Sequence, residues 1–273
     1  MGPSIERESG MPMTNIEQTK KLTQWIDGYV DDTSIFTTIQ EKKGKSIDPV
    51  ILAEQLQRYT QEWEILLAAT GGKLELTKCF YYILCWDFDE EGVPRQMTKQ
   101  ELEQEGVSIS IQESGENGKT VINHLDCNTA HRTLGLQKNP IGNQDKQLEH
   151  ISEKSDDIAH AIATSSVNRT QALTSWTSMY IPAVAYPLVA THFQEKDLNK
   201  IENKALMSFL PKIGYNRNTP RVVVYGPTEC GGIGIKNLFV DQSVEQINAY
   251  IQHTRLDSPL GKSCTSPWIG SNS

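Results

Sequence analysis

The chain has no run of about 18 or more apolar residues, so no segment reads as a membrane span. Its opening residues, Met1-Gly-Pro-Ser-Ile-Glu-Arg-Glu, hold no apolar signal core, which argues against export. Met1-Gly2 begins like a myristoylation site, but Pro3 and the residues that follow do not continue one. Cysteine is scarce and odd in number: the five are Cys79, Cys85, Cys127, Cys230 and Cys264. None forms a Cys-x-x-Cys, and no Cys/His spacing matches a zinc site. Buried, reduced thiols in an intracellular protein, nuclear or cytoplasmic, are expected. The six histidines are equally dispersed. A basic excess is missing too: the net charge of −8 argues against a general nucleic-acid binder. It leaves room for a local strip, and Lys196, Lys200, Lys204, Lys212, Arg217 and Arg221 fall in one segment that could face a phosphate backbone. A solvated helix face accounts for the same residues equally well.

What is present is a hydrophobic share of 37%, enough for a core in a chain long enough for one large or two ordinary domains. The stretch Trp25-Ile-Asp-Gly-Tyr-Val-Asp-Asp-Thr-Ser-Ile-Phe36 sets two carboxylates, Asp31 and Asp32, between two short apolar runs. Aromatic and β-branched residues around an acidic break predict a β-hairpin with the acids at its tip. Carboxylate oxygens held together in that way suit a hard divalent cation, above all Mg²⁺ arriving with substrate phosphates. Two such ions serve phosphoryl and nucleotidyl transfer. Paired aspartates are also ordinary in solvated turns. A second pair, Asp156-Asp157, lies in a polar helical stretch and suggests no role.

Tyr29-Val-Asp-Asp32 resembles the Tyr-x-Asp-Asp motif of reverse transcriptases. The order that follows strengthens the likeness: a helix from Asp48-Pro49 to Gly71-Gly72, then Lys78-Cys79, the apolar run Phe80-Tyr-Tyr-Ile-Leu-Cys-Trp86, and Arg132-Thr-Leu-Gly-Leu136. It is similar to the second half of a palm followed by a thumb in non-LTR-like retroelement polymerases, over roughly residues 22 to 255. The resemblance implies that Asp31 and Asp32 hold metal, and that Lys78 approaches the incoming nucleotide's phosphates and protonates the departing pyrophosphate. An ordinary surface lysine fits that position as well. Implied partners are an RNA template, a DNA primer and a dNTP, with no membrane. In that family a further metal-binding aspartate and the fingers precede the hairpin. Residues 1–28 are too short to supply them, so a C-terminal fragment, inactive alone, is expected.

The expected fold class is α+β: a partial palm of antiparallel hairpins and a packed helix, then a mainly helical thumb-like domain. Residues 1–20 are expected to be disordered, 21–138 to form the palm part, 139–256 the helical domain, and 257–273 a loose tail. Asp48 and Pro49 open a helix over 49–70, with Leu52, Leu56, Tyr59, Trp63, Leu66 and Leu67 on its apolar stripe. Cys79–Phe88 reads as a strand, returned by Val93–Met97 in a hairpin like the one that cradles a primer end. Val107–Ile111 and Thr120–Leu125 make a second hairpin, and Arg132–Leu136 a further short strand. Helices are expected from Gln144, over 168–191 with Pro182 and Pro187 dividing it, over 197–210 and over 241–255. Thr219–Pro227 reads as β-like, and Gly231-Gly-Ile-Gly-Ile235 as a tight turn packing on the helices, not a phosphate loop. The competing function is a non-catalytic helical module over 144–255 that holds nucleic acid or protein. A truncated gene product without a function of its own is the third possibility.

Overall fold

The computed structural model describes residues 11–14, 21–24, 26–29, 32–39, 48–115, 118–256 and 261. It is a mixed α+β chain whose strands pair two by two. The expected tail over 257–273 lies outside the described residues, apart from Gly261. Contacts divide the chain into two compact units, the first made of Met1–Thr129 with Pro259–Ser273 and the second of Ala130–Ser258.

Among the described residues, the first unit holds antiparallel pairs and one parallel pair. β1 (Met11–Thr14) pairs with β2 (Lys21–Gln24), so order begins earlier than the expected start near Leu22. The cause is backbone pairing, which needs no apolar side chains of the strand's own. β3 (Ile26–Tyr29) pairs with β4 (Asp32–Ile35) as the sequence predicts. α1 (Pro49–Ala69) is capped by the Asp48 carboxylate, which accepts the Val50 amide at 2.9 Å. It ends in a Schellman motif, Gly72 N–H to Leu67 O and Gly71 N–H to Ala68 O, both 3.0 Å.

Most of the expected α1 stripe faces the core, with Tyr59 buried and Leu52 and Leu56 packed against it, but the buried face also takes in residues outside the stripe. Ala53, Tyr59 and Glu64 are buried, whereas Leu66 is exposed. The reason is its neighbour β8 (Ser110–Gln112), whose outer amides are bonded by α1 side chains. Gln57 accepts from Ser110 N at 2.9 Å, Gln61 from Gln112 N at 2.9 Å, and Glu64 from Ser114 N at 3.1 Å. Helix positions 57, 61 and 64 thus match every second residue of the strand edge, and polar side chains take the place of a third strand.

Cys79–Phe88 alternates as a strand should: Tyr81, Ile83 and Cys85 are buried, while Leu84 and Trp86 are exposed. Ladder pairing occurs only at its ends, which corrects the single-strand reading. β5 (Phe80–Tyr81) runs parallel to β10 (Asn123–His124), and β6 (Trp86–Phe88) antiparallel to β7 (Pro94–Gln96). The short α2 (Lys99–Gln104) carries a Thr98/Glu101 capping box. β8 and β9 (Lys119–Val121) form the second hairpin. Ala53, Leu76, Tyr81, Ile83, Leu102, Ile109, Ile111 and Ile122 fill this unit's core.

The second unit opens with a hairpin, β11 (His131–Thr133) and β12 (Leu136–Lys138), where one strand was expected. Its turn is Leu134 and Gly135, at φ 50 and φ 81, a two-residue connection of the type that suits strand twist. The boundary therefore precedes this hairpin and does not follow it at 138/139. Gln147 accepts the Gln137 amide at 2.6 Å and Tyr186 donates to Leu134 O at 2.9 Å, tying the hairpin to the helices.

Helices α3 (Asp145–Thr164) and α6 (Glu195–Lys212) pack together as the centre of this unit. Between them in sequence the chain runs through α4 (Arg169–Ser175), a π-turn at Trp176–Tyr180, α5 (Ile181–Ala185) and a 3₁₀ turn at Tyr186–Val189. Pro182 explains the break: it has no N–H and its ring opposes the carbonyl one turn back, so the helix widens there. Trp176 stacks between Tyr180 at 3.8 Å and Phe209 at 4.1 Å in the middle of the core.

Residues 221–225 form a helix, α7 (Arg221–Tyr225), not the expected β-like run. The glycine-rich stretch caps it. Ile233 N–H donates to Val223 O at 2.8 Å, Gly234 N–H to Gly226 O at 2.9 Å, and Ile235 N–H to Val224 O at 3.0 Å. A Cβ on Gly232 would lie 2.1 Å from Gly226 O, so only glycine permits this approach. The last helix, α8 (Leu238–Arg255), starts earlier than expected because Asn237 caps it through Val240 N.

Candidate functional site

The acidic hairpin is built from the pairing of β3 with β4. Its register sets Ile26 opposite Ile35, Asp27 opposite Ser34, Gly28 opposite Thr33 and Tyr29 opposite Asp32. Val30 and Asp31, which join Tyr29 to Asp32, lie outside the described residues. Asp32 opens β4 and is exposed. Alternation gives Asp27 and Ser34 the same face as Asp32, and Ile26, Thr33 and Ile35 the other. Ile26 and Ile35 are half-buried, as expected of the inner face. Asp27 and Asp32 are diagonal neighbours, roughly 7 Å apart on the hairpin ladder.

Exposed carboxylates are hard oxygen donors, and Mg²⁺ characteristically takes one or two of them and keeps water or phosphate oxygens elsewhere. Asp32 fits that donor chemistry. Among the described residues no group of three or more His, Cys, Asp or Glu is close enough to hold a metal ion.

Lys78 lies exposed in the turn after α1, its amide bonded to Glu75 O at 2.9 Å. The extended segment expected over 73–78 is instead a turn in its second half. The Thr77 hydroxyl above all, with Lys78 and Lys73, holds the Glu75 carboxyl below its ordinary value. Lys78 thus faces a carboxylate close by in sequence.

The β6–β7 hairpin presents two exposed aromatics on one face, Trp86 and Phe88. Its turn is organised by Asp89, which accepts the amides of Glu91 at 3.0 Å and Val93 at 2.7 Å. Arg95 bridges Glu101 at 2.7 Å and Asp87 at 3.5 Å. The Thr98 amide first, then Arg95, draws the Glu101 carboxyl down to about 2.

The basic strip is partly spent inside the second unit. Lys204 pairs with Asp156, Lys212 donates to Ser165 O, and Arg221 donates to Asn203 at 2.6 Å. Lys196, Lys200 and Arg217 remain exposed.

Sequence reasoning missed a buried polar cluster centred on Glu202 of α6, which is fully buried. Its Oε2 accepts from Tyr225 Oη at 3.0 Å, Asn237 Nδ2 at 3.0 Å and the Leu238 amide at 3.4 Å. Among the described residues its Oε1 has no hydrogen-bond partner. Burial pushes the carboxyl up to about 7, against the lowering effect of the Tyr225 hydroxyl. Burial and the Glu202 charge raise Tyr225 to about 12. Tyr180, bonded to Ser155 at 2.9 Å, is also raised by burial. One carboxyl thereby joins α6, α7 and the start of α8. The available signal was an acid in the apolar phase of α6: Leu198, Ile201, Glu202, Ala205, Leu206 and Phe209 are all buried.

No protein-family model, no curated protein and no solved structure matches this chain.

Proposed function

We propose that the chain carries the metal-binding hairpin of a retroelement-type reverse transcriptase, with a helical thumb-like unit after it. One observation carries the reading: Tyr29 pairs with Asp32 in an antiparallel ladder, so the first and last residues of the Tyr-x-Asp-Asp motif lie opposite each other on paired strands. A helix capped by Asp48 follows, as the resembled order requires.

In this reading Asp31 and Asp32 hold Mg²⁺. The bound ion supplies Lewis-acid activation of a primer 3′-hydroxyl and stabilises charge on the departing pyrophosphate. Lys78 supplies a positive charge and a proton for that leaving group. Trp86 and Phe88 offer exposed ring faces on which nucleotide bases can stack, which suits the hairpin to a primer end. Polymerisation needs a further metal-binding carboxylate and a template-binding surface, and these belong to residues other than the ones assigned here.

The test is primer extension on an RNA template with Mg²⁺, using this chain joined to the in-frame sequence encoded upstream of it. Extension that disappears in Asp32→Asn supports the reading. Extension unaffected by Asp32→Asn refutes it, as does upstream sequence encoding neither fingers nor an aspartate-bearing strand.

A further inference from the structure

α3 and α6 run in the same direction: Lys204 pairs with Asp156, and further along both helices Lys212 donates to Ser165 O. Their charge is unevenly placed. The chain holds no Asp or Glu between Asp157 and Glu195, and none between Glu202 and Glu229. Acids early in a helix are an ordinary response to its dipole, whose effect is confined to the end turns. Here the acid-free stretches run on past both helices, through α4 and α7, which the dipole does not explain.

At this end the start of α4 meets the loop that leaves α6. The Arg169 guanidinium lies over the Tyr215 ring, 5.2 Å from its centroid, and donates to Tyr215 Oη at 3.3 Å. Arg217 follows two residues later, in a turn closed by Thr219 N–H to Asn216 O at 3.0 Å and Asn218 N–H to Asn216 Oδ1 at 2.8 Å. Arg169 and Arg217 are exposed and Tyr215 is half-buried. Among the described residues, neither arginine nor Lys212 pairs with a carboxylate.

We propose that this end of the helical unit binds a single-stranded nucleic acid, with Arg169 and Arg217 as its phosphate contacts. The net charge of −8 does not oppose this. Salt limits each charge to about 10 Å at 0.1 M, so an arriving phosphate meets the local sign. The planar arginine fork matches phosphate oxygens in pairs, and the amides of Asn216 and Asn218 suit the same backbone. A ring beside the arginines favours a strand whose bases are unstacked and free to lie on it. The acidic start of α6, where Lys196 sits between Glu195 and Asp197, lacks these features and takes no part. Binding here goes beyond the hairpin reading and stands without it, since it needs neither Asp32 nor Mg²⁺.

The experiment is fluorescence anisotropy of a labelled single-stranded RNA of about 20 nucleotides, titrated with the full chain between about 20 and 200 mM salt. Binding should weaken as salt rises. Arg169→Gln and Arg217→Gln should each weaken it about fivefold and lower the salt slope by about 0.7. Arg217 makes no side-chain hydrogen bond or ion pair among the described residues, so its substitution leaves the fold intact, as far-UV circular dichroism should show. Lys196→Gln and Asp32→Asn should leave binding unchanged, which separates this proposal from the outcome of primer extension. No binding at the lowest salt overturns it. So does full binding by Arg217→Gln, an equal loss in Lys196→Gln, or a duplex of the same sequence bound as tightly as the single strand.

Discussion

Replacing Glu202 with glutamine should flatten the pH dependence of unfolding in the helical unit. The carboxyl is fully buried, and its pKa rises from 4.5 to about 7 on folding. Below pH 4.5 both states hold the proton, and the group contributes nothing. Between 4.5 and about 7 the unfolded chain has released it while the folded chain keeps it. The folded state then binds more protons, so stability falls as pH rises, by about 1.4 kcal/mol per unit. Over the whole window the loss is about 3 kcal/mol, and above it the loss levels off. The side-chain amide that replaces the carboxyl is neutral throughout and keeps an oxygen to accept from Tyr225, Asn237 and Leu238. The Glu202→Gln chain should therefore lie within about 1 kcal/mol of the parent near pH 4.5 and exceed it by about 2–3 kcal/mol at about pH 8. Urea unfolding of both chains across this range gives the difference, in which the other titrating groups cancel. Hydrogen exchange of peptides from 195–255 assigns it to this unit. A difference that does not change with pH would refute the argument, and so would a parent more stable than the variant at the alkaline end.

Three further outcomes follow from packing and hydrogen bonding. Gly232→Ala puts a methyl group against Gly226 O, so the α7 cap must open, with a loss of about 3 kcal/mol or more in urea unfolding. Trp176→Ala removes the ring stacked between Tyr180 and Phe209 and should cost about 3–5 kcal/mol, read from the chain's melting or urea midpoint. Glu64→Ala leaves the Ser114 amide and hydroxyl without their acceptor and should cost about 1–3 kcal/mol, with faster amide exchange at Ser114 than in the parent.

Features set by a few adjacent residues were legible in the sequence. Asp48-Pro49 and Gly71-Gly72 bounded α1, Pro182 and Pro187 divided the second helical stretch, and the glycine-rich turn was read as packing on helices. The pairing of β3 with β4 followed from apolar residues on either side of the acids. α7 was misread because Val222-Val-Val224 has strand propensity. Each β-branched residue costs a helix only about 0.5 kcal/mol, whereas burying Val224 gives about 1.5–3 kcal/mol. The single-strand reading of Arg132–Leu136 failed for a local reason: Leu134 takes a positive φ that leucine rarely adopts.

The sequence by itself determined the caps, turns and breaks, and with them the mixed α+β class and the candidate carboxylate Asp32. These depend on backbone sterics and on hydrogen bonds between residues a few positions apart, which any window of the chain contains. Tertiary structure alone decided which polar side chains the helices turn inward. α1 turns Gln57, Gln61 and Glu64 to a strand edge, α8 turns Gln242 and Gln246 inward, and α6 draws Glu202 into the core. In each case a polar side chain turns inward because a distant backbone or side-chain group is there to bond it. Such partners come together only when the chain has folded.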